Sequence, residues 1–473
     1  MRNDLRLDDN RVISAAAERG SRVICIYILE EDESLRQRGG ASQWWLDKSL
    51  KSLRSDISEL GGKLVCRRGR ANEIIPALVE ETGATAVYWG RRYGKTEREI
   101  DSAIKAALKD DGIDAQSFNT SLLTEPWQIE TKTGGHYKVF TPYWRAVRAM
   151  YEPPAPCPLP DSLGGMGVEG ERIEDWDLHP TQPDWSKGFD EMWTPGEAGA
   201  KARLSAFLDD GLRDYEEQRN RPDQDGTSGL SPHLHFGELG PAQIWRAVKS
   251  KLDHGFKQET SAWSFLSEVV WREFSYVLLY YNPEMGWENY NPAFNEMPWK
   301  ADAAALKAWQ AGQTGYPIVD AGMRQLWACG WMHNRVRMIV ASFLTKHLMV
   351  HWRDGEDWFW DTLVDADPAS NAMGWQWTAG SGADAAPYFR IFNPITQGEK
   401  FDKTGDYVRT WCPELKELPD KCLHSPWTAD AKTLKCAGIT LGETYPEPII
   451  DHSTGRQRAQ DAWETLKSKQ DSA

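Results

Sequence analysis

No stretch of about 18 or more apolar residues occurs in the chain, so no bilayer-spanning helix is encoded. The first residues are charged and polar, without the apolar core of a secretory signal. Cysteine is sparse: seven residues (Cys25, Cys66, Cys157, Cys329, Cys412, Cys422, Cys436), an odd count with no C-x-x-C pair. That argues against a disulfide framework, a zinc site or an iron–sulfur cluster, and for reduced thiols in a cytoplasmic protein. No G-x-G-x-x-G phosphate loop is present, which argues against a nicotinamide site. Basic charge is in deficit, with 55 Lys and Arg against 70 Asp and Glu and a net charge of −15. A nucleic-acid partner is not thereby excluded, because a local basic face binds phosphate on an acidic protein.

Tryptophan, by contrast, is abundant: 24 residues, denser after residue 260. Core volume accounts for a few; a redox or stacking role accounts better for so many. At 473 residues the chain is too long for one core and suggests two domains.

The first part alternates. Arg22 to Ile28 reads as a strand covered on both faces, Trp44 to Leu60 as a helix stopping at Gly61-Gly62, Lys63 to Cys66 as a strand, and Asn72 to Thr82 as a helix. Ala86 to Trp89 is a further strand and Thr96 to Lys109 a helix, so β-α alternation predicts a parallel sheet with helices on both sides. Residues 151 to about 195, rich in Pro, Gly and acids, read as a long ordered surface linker. Beyond it, helices are expected at Ala198–Leu212, Pro241–Leu252, Ser261–Tyr281, Ala301–Ala311, Gly315–Gly330, Asn334–Val350 and Asp354–Val364, giving an all-α second half.

Four stretches carry candidate chemistry. Asp365 to Phe401 places Asp365, Asp367 and Asn371 ahead of Trp375 and Trp377, then a Gly/Ser/Ala loop, then Tyr388-Phe389-Arg390. Gly380 and Gly382 would let backbone approach a flat, bulky group, with carboxylates and an amide to fix its polar edge; a buried turn with core tryptophans is the other reading. Tyr215 to Ser231 holds two basic residues, a turn at Asp225-Gly226, and Thr227-Ser228-Gly229-Leu230-Ser231. Hydroxyls and amides there suit either a pyrophosphate or an ordinary helix N-cap. Glu268, Trp271 and Arg272 share one helical face, as an active-site edge or as an i,i+4 pair beside a core Trp. Met332 to Met338 opens a further helix with Asn334, Arg337 and Met338 on one side; His333 reads as structural.

Together with Gly330-Trp331-Met332-His333-Asn334-Arg335 and Trp271-Arg272-Glu273-Phe274, the Asp365–Phe401 stretch resembles the FAD-binding half of the DNA photolyase/cryptochrome family. The resemblance runs from about residue 2 to about 460. It implies a doubly wound α/β antenna-binding domain over 1–130, an interdomain linker over 131–195, and an all-helical FAD- and DNA-binding catalytic domain over 196–473. Family members open with a buried central strand, whereas Met1 stands where that strand should end. The expectation is a sheet lacking its first strand, from a truncated or misassigned start.

By the same resemblance, FAD is held by Tyr215, Thr227, Ser228, Gly229, Leu230, Ser231, Phe265, Arg272, Asn334, Arg337, Asp365, Asp367 and Asn371. Many relatives carry Arg at the position of Gly229, so neutral groups would take over part of the phosphate contact here. Asn371 would face flavin N5, where plant cryptochromes have Asp. Trp375, Trp352 and Trp299 match an electron-hopping triad. Catalysis would rest on Glu268, Trp271, Asn334, Met338, Asn371 and Trp377, with Trp271 and Trp377 clasping an extruded pyrimidine pair. DNA contacts would come from Arg219, Glu268, Trp271, Arg335 and Gln397. Arg91, Tyr93, Lys95 and Glu97 look like the antenna-contact region of a folate or deazaflavin pigment, or like a plain solvated helix start.

The implied activity is light-dependent repair of cyclobutane pyrimidine dimers in damaged double- or single-stranded DNA. It would belong to a cytoplasmic, nucleoid-associated monomer without metal. A cryptochrome-type photoreceptor and a 6-4 photolyase are the alternatives. Trp271 and Asn371 favour repair, and the short charged tail after about 450 argues against signalling.

Overall fold

The computed structural model describes every residue except Ser21, Gln182, Phe389, Ser472 and Ala473, and the side chain of Asp471. Phe389, in the Tyr388-Phe389-Arg390 run, therefore lies outside the described residues. The chain forms two compact units. One comprises Met1–Asp184, Asp190–Arg213 and Ser228–Pro283; the other comprises Trp185–Phe189, Asp214–Thr227 and Glu284–Ala473.

In the first unit, β1 (Cys25–Glu30) runs parallel to β2 (Leu64–Gly69), with Cys25 opposite Leu64. Likewise β3 (Ala86–Gly90) runs parallel to β4 (Asp114–Phe118), with Ala86 opposite Asp114. Among the described residues the two pairs form separate sheets. In a 3-2-1-4-5 order the first strand separates the second from the fourth, so its absence leaves two parallel pairs, as found. The Met1 amino group donates instead to the Ile26 carbonyl at 2.8 Å. Sequence reading missed β4, whose Asp-Ala-Gln-Ser-Phe run is too polar and too short to stand out.

The Glu259–Tyr281 helix packs on the Phe140–Met150 helix of the same unit. Phe140 stacks on Trp271 with ring centroids 3.6 Å apart, and Tyr143 lies 5.4 Å from Phe274. These aromatic contacts hold the helix up to Tyr281 in the same compact unit as the α/β part.

The Glu197–Ala206 helix does not stop near Gly211, as the sequence suggests. It passes through a π-turn at Phe207–Gly211 and continues over Leu212–Gln218. A Cβ at Gly211 would lie 2.7 Å from the Phe207 ring, so this glycine makes room for an aromatic rather than ending the helix.

The second unit is helical around a core that includes Trp309, Val340, Leu344, Trp352, Phe359 and Trp375. Pro317–Cys329 ends on Gly330, whose φ of 66° is the left-handed conformation of a helix terminus. Asn334–Ser342 runs into a π-turn at Phe343–His347, followed by Trp352–Thr362, Pro368–Ala379 and Pro394–Phe401. The Pro368–Ala379 helix, unmarked in the sequence reading, carries Asn371, Trp375 and Trp377. No helix among the described residues is long and apolar enough to cross a membrane.

Candidate functional site

In the second unit the Asn334–Ser342 helix begins at His333, whose Nδ1 accepts from the Arg335 amide at 3.1 Å. Burial, reinforced by Arg335, Arg337 and Arg219, pushes this imidazole down to about 3, so it stays neutral as a cap. Its structural reading is the one the geometry supports. Asn334 is exposed at the first helical position, and Met338 is half-buried one turn on.

Arg337 and Asp365 form an ion pair. The guanidinium NH2 donates to both carboxylate oxygens at 3.0 and 2.9 Å, and Nε donates to the Met332 carbonyl at 2.8 Å. Asp367 Oδ1 accepts from the Ala369 and Ser370 amides at 3.0 and 2.8 Å, capping the next helix. Inside that helix, Asn371 Nδ2 donates to the carbonyl and the carboxylate of Glu356 at 3.1 and 2.7 Å. Both partners are acceptors, so the amide orientation is fixed and Oδ1 is the atom left for a ligand.

Trp375 is buried, 5.0 Å from Phe359 and 6.0 Å from Trp309. It packs where Gly355 has no side chain: a Cβ there would lie 2.5 Å from Cζ3 of the indole. Trp352, on the same helix as Gly355, is buried and donates through Nε1 to Asn289 Oδ1 at 2.9 Å. Trp299 is half-buried. The His351 ring touches both indoles, with centroids 5.2 Å from Trp299 and 5.6 Å from Trp352. Trp377, two residues beyond Trp375, points to another face of its helix and is half-buried.

Arg335 donates to Asn220 Oδ1 from Nε and NH2 at 3.2 and 2.6 Å, and its guanidinium lies 4.6 Å from the Phe401 ring. Arg219 lies over the buried Tyr215 at 5.5 Å. Gln397 is half-buried on the Pro394–Phe401 helix.

In the first unit, Trp271 is half-buried against Phe140, and Glu268 is half-buried one turn before it. Arg272 donates to the Ser121 carbonyl at 2.7 Å and lies 5.1 Å from the Tyr276 ring. Phe265 is a core residue, 4.6 Å from Phe207. In the Tyr215–Ser231 stretch the turn falls at Pro222-Asp223, not at Asp225-Gly226; the Gln224 amide donates to Arg221 O at 3.2 Å, and Arg221 pairs with Asp223. The amides of Thr227, Ser228 and Gly229 reach no acceptor among the described residues. Ser228 Oγ accepts from the Leu230 amide at 3.4 Å, and the helix from Ser231 has no side-chain cap, so the N-cap reading of this run does not apply.

Two sequence expectations are corrected. Gly380 and Gly382 do not open space for a flat ligand: a Cβ on them would meet Tyr388 at 3.2 Å and the Gln376 main chain at 3.0 Å, both from this chain itself. Nor do Arg91, Tyr93, Lys95 and Glu97 form a solvated helix start throughout. Tyr93 is buried and donates to Glu125 at 2.9 Å, and Arg91 pairs with the same carboxylate. Glu356, Gly355 and Asn220 escaped sequence reading. A signal for the first lay in its position four residues after Trp352 on one helix face.

Residues 1–161 match the DNA photolyase family model, and residues 265–465 match the FAD binding domain of DNA photolyase. The chain belongs to the DNA photolyase family. A deoxyribodipyrimidine photo-lyase of Agrobacterium fabrum is 52% identical over 98% of this photolyase-family chain and 97% of its own. The crystal structure of a bacterial class III photolyase from Agrobacterium tumefaciens superposes with a TM-score of 0.96 at 52% identity, covering 99% of this chain and 97% of that one. Cryptochrome-2 of Arabidopsis thaliana is 36% identical over 96% of this chain and 76% of its own.

The donor set of this photolyase-family chain fits FAD. Glu356 holds the Asn371 amide nitrogen and leaves its oxygen as an acceptor, a guanidinium is neutralised by Asp365 at another place, and three consecutive backbone donors at Thr227–Gly229 suit an anion.

Proposed function

We propose that this chain repairs cyclobutane pyrimidine dimers in DNA by light-driven electron transfer. The observation that carries the reading is the amide of Asn371, locked by Glu356 so that a neutral acceptor faces the ligand. An acid at this position could donate a proton; an amide in this orientation only accepts.

When bound, reduced FAD absorbs the light and supplies the electron. Arg337, paired with Asp365, and the Thr227–Ser231 loop hold the cofactor, with Tyr215, Phe265, Asp367 and Asn371 around it. Trp271 and Trp377 stack on the dimer, Met338 packs on it, and Glu268 hydrogen-bonds its polar edge. A dimer is already poorly paired, so extruding it costs less than the few kcal/mol typical of an intact base. Trp375, Trp352 and Trp299 offer oxidisable rings from a buried to a half-buried position. Arg219 and Arg335 contact the DNA backbone, and Gln397 also contacts DNA. The N-terminal α/β part carries a folate or deazaflavin antenna, and the chain acts as a cytoplasmic, nucleoid-associated monomer.

A photoreceptor reading has the 36% identity to a cryptochrome behind it. One experiment separates the two: illuminate the photoreduced protein with a thymine-dimer oligonucleotide and follow dimer loss beside the flavin spectrum. Dimer splitting under blue light is expected. Intact dimers beside a bound, reduced flavin would end the repair reading.

A further inference from the structure

We infer that Arg203 supplies the cation for the FAD diphosphate that family relatives place at the position of Gly229. The inference rests on the flavin reading above and deepens it.

The Thr227–Ser231 loop has no cationic side chain of its own. A diphosphate carries two negative charges, and amides alone offset them less well than amides with a guanidinium. Gly229 is buried and holds a φ of 60°, the left-handed region that favours glycine. A Cβ built on it would lie 2.6 Å from NH2 of Arg203 and 2.7 Å from its Cζ. The space beside Gly229 is therefore occupied by a guanidinium from the Glu197–Ala206 helix.

The same guanidinium lies 5.0 Å from the Trp193 ring, within cation–π range. A side chain at 229 and this guanidinium exclude each other sterically, so glycine in the loop and arginine on the helix form one solution. On this inference the charge is kept, and its origin moves to another element.

The test is FAD release from the holoprotein, followed by the rise of flavin fluorescence at several ionic strengths. Arg203→Gln keeps a planar polar group near Trp193 and removes the charge. Release about 10- to 100-fold faster than in the parent is expected, matching the loss of a charged hydrogen bond. Its salt dependence should be flatter, since screening then has one less charge contact to weaken.

Unchanged release in Arg203→Gln would overturn the inference. So would faster release with the parent's full salt dependence, which marks loop packing rather than charge. Far-UV circular dichroism of each holoprotein checks that the fold persists. Because repair is not the readout, a chain that keeps FAD through Arg203 yet splits no dimer ends the functional reading and leaves this one standing.

Discussion

The side-chain amide of Asn371 is tied to Glu356 twice, at the main-chain carbonyl (3.1 Å) and at the carboxylate (2.7 Å). The carboxylate is buried, so each change at it is felt by the amide. Glu356→Gln keeps an acceptor in place and should cost about 1 kcal/mol of stability, with repair retained. Glu356→Ala removes the acceptor and leaves a cavity, for about 2–4 kcal/mol. In that variant the Asn371 amide is free to turn, and its flavin should oxidise faster in the dark. Chemical denaturation and the decay of the reduced-flavin spectrum read both effects; an Ala variant matching the parent in both would refute the assigned role.

Gly355 is where the Trp352–Thr362 helix admits the Trp375 indole. A methyl there would press on Trp375 Cζ3 at 2.5 Å and on Leu344 Cδ2 at 2.7 Å. Gly355→Ala should therefore destabilise the chain by about 1–3 kcal/mol through overpacking, despite the better helix propensity of Ala. Trp375→Phe in the same chain should relieve the overlap and recover stability. Flavin photoreduction should stay slow in the double variant, because the oxidisable ring is gone. Fast photoreduction without Trp375 would remove it from the electron path.

What the sequence disclosed, and what it hid, follows from how far apart the interacting residues lie. Helical periodicity revealed the long helices, and spacing placed Asn334, Arg337 and Met338 on one side of theirs. The Arg337–Asp365 pair joins residues 28 apart, and only the family resemblance puts both beside one cofactor. Asn220 beneath Arg335 is 115 residues away, and no local pattern announces such a contact. Glycines misled most: Gly211, Gly380 and Gly382 read as breaks or ligand space, yet Gly211 makes room for the Phe207 ring, Gly380 for Tyr388 and Gly382 for the Gln376 main chain. Only three-dimensional packing tells these uses apart.

Glu273, next to the candidate residues Trp271 and Arg272, gives the fold a pH dependence. Burial raises its carboxyl from 4.5 to about 8, while Arg272 and the Leu123 amide, 2.6 Å away, favour the charged form in part. Between those two values the folded chain holds a proton that the unfolded chain has released. Stability from this group therefore falls as pH rises from about 4.5 to about 8, and remains low above that. Glu273→Gln keeps an acceptor for Leu123 and cannot ionise. Unfolding at pH 6 and pH 9 should show the parent losing a few kcal/mol relative to the variant across that interval, to order of magnitude. Parallel pH profiles for the two would place the proton elsewhere.

Trp271 and Phe140 stack at 3.6 Å with an interplanar angle of 10°, so one face of the indole is already covered by the protein. The ring is thereby held flat and is only half-buried, as a base-stacking platform requires. Trp271→Ala should weaken binding of a dimer-containing oligonucleotide by about 1–3 kcal/mol, roughly 5- to 150-fold, with undamaged DNA bound as before. Phe140→Ala, which removes the backing and leaves the indole, should produce a smaller loss of the same selectivity together with a loss of stability. Repair at saturating substrate separates stacking in the ground state from a role in the chemistry. If Trp271→Ala bound and split dimers as the parent does, the ring would be a core tryptophan, and the pocket assigned to the pyrimidine pair would have to be sought on another face.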